Sequence, residues 1–318
     1  MISGLVLSML AAAPEVALLC SAGDGDVTEL RLSRPGAELA APAARFSHVK
    51  RSTVLGAVLP GTRTVLAIAQ TVDSRDTTWA ASLVRLEPGQ GPVTLVDRVA
   101  ISTRPFVTPQ GRVFVQRGRG EAITVDEVNP RTGATRTVHA FTGYTAFIAG
   151  AFEGELVLYR VGPAGADLVA VHVDALGVRP LTALAPMARD FAAGGGALYF
   201  TTADEGGWRV ARVDLKSGAL TTIARVSEVT ALPTLLDGRL ALSPGPGEGL
   251  RFLDGTLALL PKGPGFERVR EVRRGWAFAL NEVPSDFPTA YAVELKTGRT
   301  LRLAAPAGMR LDLAGVLE

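Results

Sequence analysis

Arg104, Arg189 and Arg268 each stand seven residues before a glycine that opens an apolar run, at Gly111, Gly196 and Gly275. A guanidinium offers five N–H donors in a planar fork that fits a carboxylate or a phosphate. Three of them at matched spacing could recognise an anion, if the chain between them returns each to one place. Other cations lie at related positions: Lys50, Arg51 and Arg310 before later apolar runs, and Arg75, Arg117 and Arg119 between runs. Trp79 and Trp208 each precede a second kind of glycine, Gly89 and Gly218, by ten residues. Phe287 and Tyr291 fall in the long segment "NEVPSDFPTAY". Arg, Trp and Tyr are the residue types enriched where proteins bind partners.

Other chemistry has little to work with. Cys20 is the only cysteine, so no internal disulfide and no Cys-rich zinc site can form, and it reads as a small buried strand residue. His48, His139 and His172 are remote from it in sequence. There is no H-E-x-x-H, no P-loop, no C-x-x-C and no G-x-S-x-G elbow. "GPGEG" (Gly245 to Gly249) and "RGRG" (Arg117 to Gly120) have the composition of phosphate loops but open no helix, and they read as loops between strands. Asp24 and Asp26 in "SAGDGDVTE" read as a hairpin turn, since a calcium site needs six or more oxygens.

The chain has 318 residues, 47% hydrophobic and 20% charged, so it can bury a large core and shows no signature of disorder. A net charge of +2 argues against a nucleic-acid binder. Residues 1–13 read as an export signal: Ile2 to Leu10 is a short apolar run, and small residues follow. No Lys or Arg precedes that run, so a cytoplasmic protein is the alternative. The run is too short to span a bilayer, and Leu19 is too large to precede a lipidated Cys20.

The elements that position the arginines come from a repeat. The segments "TELRLSRPG", "ASLVRLEPG", "VDEVNPRTG", "VAVHVDALG", "VARVDLKSG", "LRFLDG" and "YAVELKTG" end on Gly36, Gly89, Gly133, Gly177, Gly218, Gly255 and Gly298, 37 to 53 residues apart. Each glycine is followed by another short β-like run. Upstream, a glycine opens an apolar run in "GTRTVLAI", "GRVFVQ", "GELVLY", "GALYFT", "GRLALS" and "GWAFAL". Each unit thus reads as four short strands with Gly and Pro at the junctions, and the alternation has period two. Seven such units predict an all-β, seven-bladed β-propeller over 14–318, four antiparallel strands per blade. The short sixth and long second units leave six or eight blades open. The first unit lacks an innermost strand, and "MRLDLAGVLE" resembles "MARDFAAGGG" of the fifth. The C-terminal strand is therefore expected to complete blade one and close the ring.

In this repeat the chain resembles the broad superfamily of WD-like and TolB-type bacterial propellers, over about residues 15–318. The shared motif is the "D/E-L-K-S/T-G" turn, with no Trp-Asp and no Gly-His signature. The resemblance implies the fold and a tendency toward binding roles.

Counting six residues back from each blade-opening glycine assigns Leu55, Pro105, Ile148, Asp190, Leu232 and Val269 to the central channel, and the tail adds Asp312. Most are apolar, which disfavours a catalytic metal ring, and no cofactor is expected. The reading is a non-enzymatic platform. Arg104, Arg189, Arg268, Arg310, Lys50, Arg51, Arg75, Arg117, Arg119, Trp79, Trp208 and Tyr291 would then form a basic, aromatic face for a protein, peptide or anionic ligand. A propeller hydrolase or lactonase with a site in the channel, built on Asp190 and Asp312, is the alternative. A small-ligand or carbohydrate sensor is the third.

Overall fold

The structure, a computed structural model, describes residues 13–72, 78–119, 122–185, 187–227, 231–283 and 287–317. All but the last residue of the expected export signal, Arg75 and the side chain of Arg119 lie outside the described residues.

The described chain contains strands and no helix. β1 (Val16–Ala22), β2 (Val27–Ser33) and β3 (Ala44–Ser47) form an antiparallel meander. β4 (Leu55–Val58), β5 (Val65–Gln70), β6 (Ala81–Leu86) and β7 (Val93–Val99) form the next. β8 (Phe106–Val107), β9 (Val113–Arg119), β10 (Ala122–Val128) and β11 (Thr135–Thr142) follow, and one pair, Val99 with Arg117, links them to β7. β12 (Thr145–Phe152), β13 (Glu155–Gly162), β14 (Gly165–His172) and β15 (Val178–Leu184) make a separate sheet, as do β16 (Ala188–Gly194), β17 (Ala197–Asp204), β18 (Gly207–Asp214) and β19 (Leu220–Arg225). The short strands β20 (Thr234–Leu236), β21 (Arg239–Leu242), β22 (Leu250–Phe252) and β23 (Leu257–Leu259) precede β24 (Phe266–Arg273), β25 (Trp276–Glu282), β26 (Thr289–Glu294) and β27 (Thr300–Arg302). β28 (Met309–Val316) returns to pair antiparallel with β1, Val16 opposite Val316 and Ala22 opposite Met309.

The repeated turn has a local cause. In "VDLKSG" the Asp214 carboxylate accepts the Lys216 and Ser217 amides at 3.2 and 2.9 Å. The Gly218 amide then closes on the Asp214 carbonyl at 2.8 Å. Gly218 has φ +74°, and a Cβ there would lie 2.2 Å from the Leu181 carbonyl oxygen of the preceding sheet. Only glycine meets both demands. Asn129 builds the same turn before Gly133.

Alternation in each meander puts apolar side chains on both faces of the sheet, so each sheet needs two neighbours. Leu19, Leu30 and Phe46 of the first sheet pack on Val65, Ala67 and Val84 of the next. The pattern continues to the last sheet, where Phe278, Leu280 and Ala292 pack on Val16, Leu18, Cys20 and Leu313. Cys20 is fully buried, and burial pushes its thiol up to about 12, so it is a core residue and no nucleophile at neutral pH. Among the described residues, the core between β16–β19 and β20–β23 is centred on Val210, Ala231 and Leu240.

Four of the first strands carry a β-bulge near the middle. It falls between Ile148 and Gly150, between Arg189 and Ala192, between Val269 and Glu271, and in β28 opposite Ala17 and Leu18. A bulge inserts an unpaired residue and shifts which side chains face each way.

β28 brings Leu313, Val316 and Leu317 into the core, each less than a tenth exposed. Each such side chain contributes about 1.5–3 kcal/mol. Deleting 309–318 is therefore expected to lower Tm by about 10 °C or more, or to prevent soluble folding. An unchanged Tm by calorimetry would show that β28 adds nothing to the fold.

Glu267 on β24 is fully buried at the seam with β20–β23. It accepts the Lys262 amide at 2.8 Å and Asn281 Nδ2 at 3.3 Å, while its Oε2 is buried with no partner. Burial outweighs these hydrogen bonds and pushes its carboxyl up to about 7. The folded chain keeps this proton where the unfolded chain has lost it. Its contribution to stability therefore falls as pH rises from the usual glutamate range to about 7, and is constant above. Glu267→Gln is expected to reduce the fall in Tm between about pH 5 and about pH 8. Equal falls in both proteins would count against this carboxyl as the source.

Candidate functional site

The first strands of several sheets surround a cavity of about 590 Å³. Leu55, Ser102 to Phe106, Phe147 to Ala149, Ala188 to Phe191, Arg268 and Arg270 line it. Arg104, Arg189 and Arg268, far apart in sequence, thus share one space. Each first strand enters from the same side, so a matched position along the repeat becomes a matched depth.

Asp312 on β28 anchors the group. It is 4% exposed. Its Oδ2 accepts the Gly56 amide at 2.8 Å, and its Oδ1 accepts Arg104 Nη2. Arg104 Nη1 also donates to the Gly56 carbonyl. A Cβ at Gly56 would lie 2.6 Å from Leu19 Cδ1, so glycine is what lets β4 pack this closely on β1.

Arg270 Nη2 lies 4.0 Å from Asp312 Oδ1 and 3.1 Å from Glu282 Oε1. Glu282 Oε2 accepts Arg268 Nε at 2.8 Å, and Arg268 Nη1 stands 3.6 Å from Asp190 Oδ1. A belt of alternating charge therefore runs from Arg104 through Asp312, Arg270, Glu282 and Arg268 to Asp190. Burial, then the nearby Arg104, bring the Arg270 guanidinium down to about 9, against the pull of Asp312 and Glu282. Burial raises the Asp190 carboxyl, with Arg268 and Arg189 opposing. Asp190 Oδ2 and Arg270 Nε are buried without a hydrogen-bond partner. Asp190 also holds φ +56°, an uncommon conformation for a residue with a side chain. Four guanidinium groups face three carboxylates here, so the cavity favours an anion.

Arg104, Pro105, Phe106 and Arg270 also line a second cavity of about 660 Å³, with Ala57, Glu271, Arg273 and Leu313. They form the wall between the two spaces. A third cavity of about 470 Å³ lies between Ser52–Leu55, Phe266, Arg310 and Asp312.

Apart from Arg189, the remaining expected residues are dispersed. Arg189 is exposed, and its guanidinium lies over the Trp208 ring, 5.4 Å from the centroid. Trp79 faces elsewhere: its ring covers Gly118 of β9 so closely that a Cβ there would come within 2.5 Å. Lys50 is exposed, Arg51 pairs with Asp24 at 2.9 Å, and Arg310 donates to the Arg51 carbonyl at 3.5 Å. Phe287, before β26, is 45% exposed.

Three expectations are corrected. Tyr291 belongs to β26 rather than to a loop and is 2% exposed, because alternation turns it into the core against Leu236 and Leu250. Arg117 and Arg119 belong to β9, which pairs with β10 as far as Arg119. Arg117 is spent on Asp126, fully buried, at 3.1 Å and on the Asp97 carbonyl at 2.9 Å. Val269 packs with Ala277 and Ala279 instead of lining the cavity, while Arg268 and Arg270 on either side of it do. Arg270 and Glu282 escape a count from glycines, because the bulge displaces one and the other comes from a second strand. The alternating charges of "ERVREVRR" were the available signal.

Arg104→Ala would leave the buried Asp312 Oδ1 with only the distant Arg270 Nη2, at 4.0 Å. The expected loss of stability is about 3 kcal/mol, partly restored by adding Asp312→Asn. A urea midpoint unchanged by Arg104→Ala would remove this pair from the belt.

No protein-family model matches the chain, and no curated protein matches it. Solved structures do match in shape. TolB from Acinetobacter baumannii matches with a TM-score of 0.51 and 9% identity, over 95% of this chain and 66% of that one. A prolyl endopeptidase gives 0.59 and 14%, over 94% of this chain and 50% of that one. The β-propeller domain of the Trilobed protease from Pyrococcus furiosus gives 0.54 and 11%, over 93% and 98%. The chain therefore spans about two thirds of the TolB chain and half of the endopeptidase. At these identities the likeness is one of fold: the chain is a β-propeller, TolB-like in architecture.

Proposed function

We propose that this chain is a non-enzymatic, seven-bladed propeller, closed by β28 in blade one, that binds a partner protein on the face where the first strands enter. The convergence of Arg104, Arg189, Arg268 and Arg270 on one cavity carries the reading. Apolar residues stand exposed on the same side: Tyr144 (73%), Phe147 (41%) and Met187 (49%) at strand entries, and Phe287 before β26. Exposed aromatics beside a guanidinium without an ion pair among the described residues, that of Arg189, are the composition of a docking surface. Within the belt, Asp312 and Glu282 are committed to arginines, and among the described residues no belt carboxylate stands beside a hydroxyl, thiol or imidazole in a nucleophile–base pair. Among the described residues no helix is long and apolar enough to cross a membrane. Export, read from residues 1–13, is part of the proposal.

Arg104 and Arg268 hold the belt, so they are unsuited to a charge-reversal test. Arg189 and Arg310 are exposed and suited to it. Affinity capture from the native cell, read by mass spectrometry, is expected to yield a stoichiometric protein that Arg189→Glu with Arg310→Glu loses at unchanged Tm. Retention of that protein by the double variant, or no stoichiometric protein in either sample, would refute the platform.

A further inference from the structure

We propose that the 590 Å³ cavity is a receptor for the C-terminal residue of a peptide chain, one that ends in an aromatic or branched apolar side chain. The inference rests on the binding reading above and names what that face takes.

The cavity has one wall for each part of such a residue. Arg189 makes no ion pair among the described residues; it is exposed, with its fork steadied by Trp208. It can take a carboxylate through two parallel N–H bonds. Arg268 lies beside it with one Nη1 contact, at 3.6 Å from Asp190. Asp190 is short of donors: one oxygen faces that distant Nη1 and the other has no partner. Oδ2 is sealed, so the oxygen a ligand can reach is Oδ1, whose one contact is that long one. The amide N–H of a terminal residue, fixed two bonds from the carboxylate carbon, is the donor that Asp190 lacks.

The third wall is apolar. Phe106, Phe147, Ile148 and Phe191 line the same cavity. Phe147 stacks on Tyr159 at 6.3 Å, and Tyr159 meets Phe191 at 5.4 Å, so the aromatic wall is braced from behind. An aromatic or branched side chain would cover Phe147, which is 41% exposed.

The floor argues for a chain end rather than a passing segment. Arg104, Pro105, Phe106 and Arg270 separate this cavity from the next one along the axis, and Arg104 is fixed by Asp312 and Gly56. A peptide entering from the open face must stop there. The volume lies within the ~300–1,000 Å³ range of small-ligand sites. An internal Asp or Glu carries a carboxylate, but its backbone N–H stands one or two bonds further from the carboxylate carbon than that of a terminal residue.

The test uses the full chain with N-acetylated Gly/Ser hexapeptides ending in Phe, Leu or Val. Each is supplied as the free acid, as the C-terminal amide, and as an amide with an internal Glu. Titration is followed by calorimetry and tryptophan fluorescence. At least one free acid is expected to bind about tenfold or more tightly than both counterparts, the scale of a charge-assisted pair. Arg189→Gln is expected to abolish that preference at unchanged Tm, and Asp190→Asn to weaken the acid. Equal affinity of acid and amide, or no binding by any acid, overturns the proposal. If the acids fail while the captured protein is still lost on Arg189→Glu with Arg310→Glu, only this inference falls. If both fail, the platform falls with it.

Discussion

The Asp312 carboxylate, nearly sealed from water, is the point on which the arrangement hangs. A buried carboxylate is tolerable only when its oxygens are supplied with donors. Here the Gly56 amide supplies one oxygen and Arg104 the other, from residues more than two hundred positions away. The last strand is thereby fastened to the second sheet as well as to β1. A shift of β28 by one residue would turn Asp312 into the core and Leu313 out of it. The charge therefore fixes register as well as position.

The same anchoring explains how so much positive charge can be held together. Burial, with repulsion from Arg104 and Arg268, lowers the Arg270 guanidinium, and each of the three arginines is matched to a carboxylate from another strand. Glu282 contributes from the second strand of its sheet, bracing the two arginines of β24. Arg189, outside these pairings, is steadied by an aromatic face instead. The belt is thus a structural device along most of its length, and its uncommitted end lies at Arg189 and Asp190.

Polar groups elsewhere follow the same economy. The Glu127 carboxylate on β10 is held down by Arg112 and Arg136, and Arg112 also reaches Asp174 in the turn after β14 of the neighbouring sheet. Arg179 reaches Glu155 and the Leu215 carbonyl in the same manner one sheet further on. In both groups an arginine paired with a carboxylate of its own sheet also reaches the next sheet, at Asp174 and at the Leu215 carbonyl.

The sequence by itself determined the unit and its punctuation. Gly218 and Gly133 were legible because a positive φ and a nearby backbone leave no other residue, and the short apolar runs because alternation of period two is a local property. It also placed Arg104, Arg189 and Arg268 at one repeat position, which holds in three dimensions because repeats superpose. Only the tertiary structure decided which of these charges are spent and which are free. Arg117 and Arg189 look alike in the sequence, yet the first neutralises buried Asp126 and the second stands over Trp208. Arg270, which the count from glycines did not reach, lines the cavity, and Tyr291, expected on the face, is buried. A bulge alters local alternation, and burial depends on the sheet across the gap. Pairing and burial are set by residues distant in sequence, and no local pattern records them.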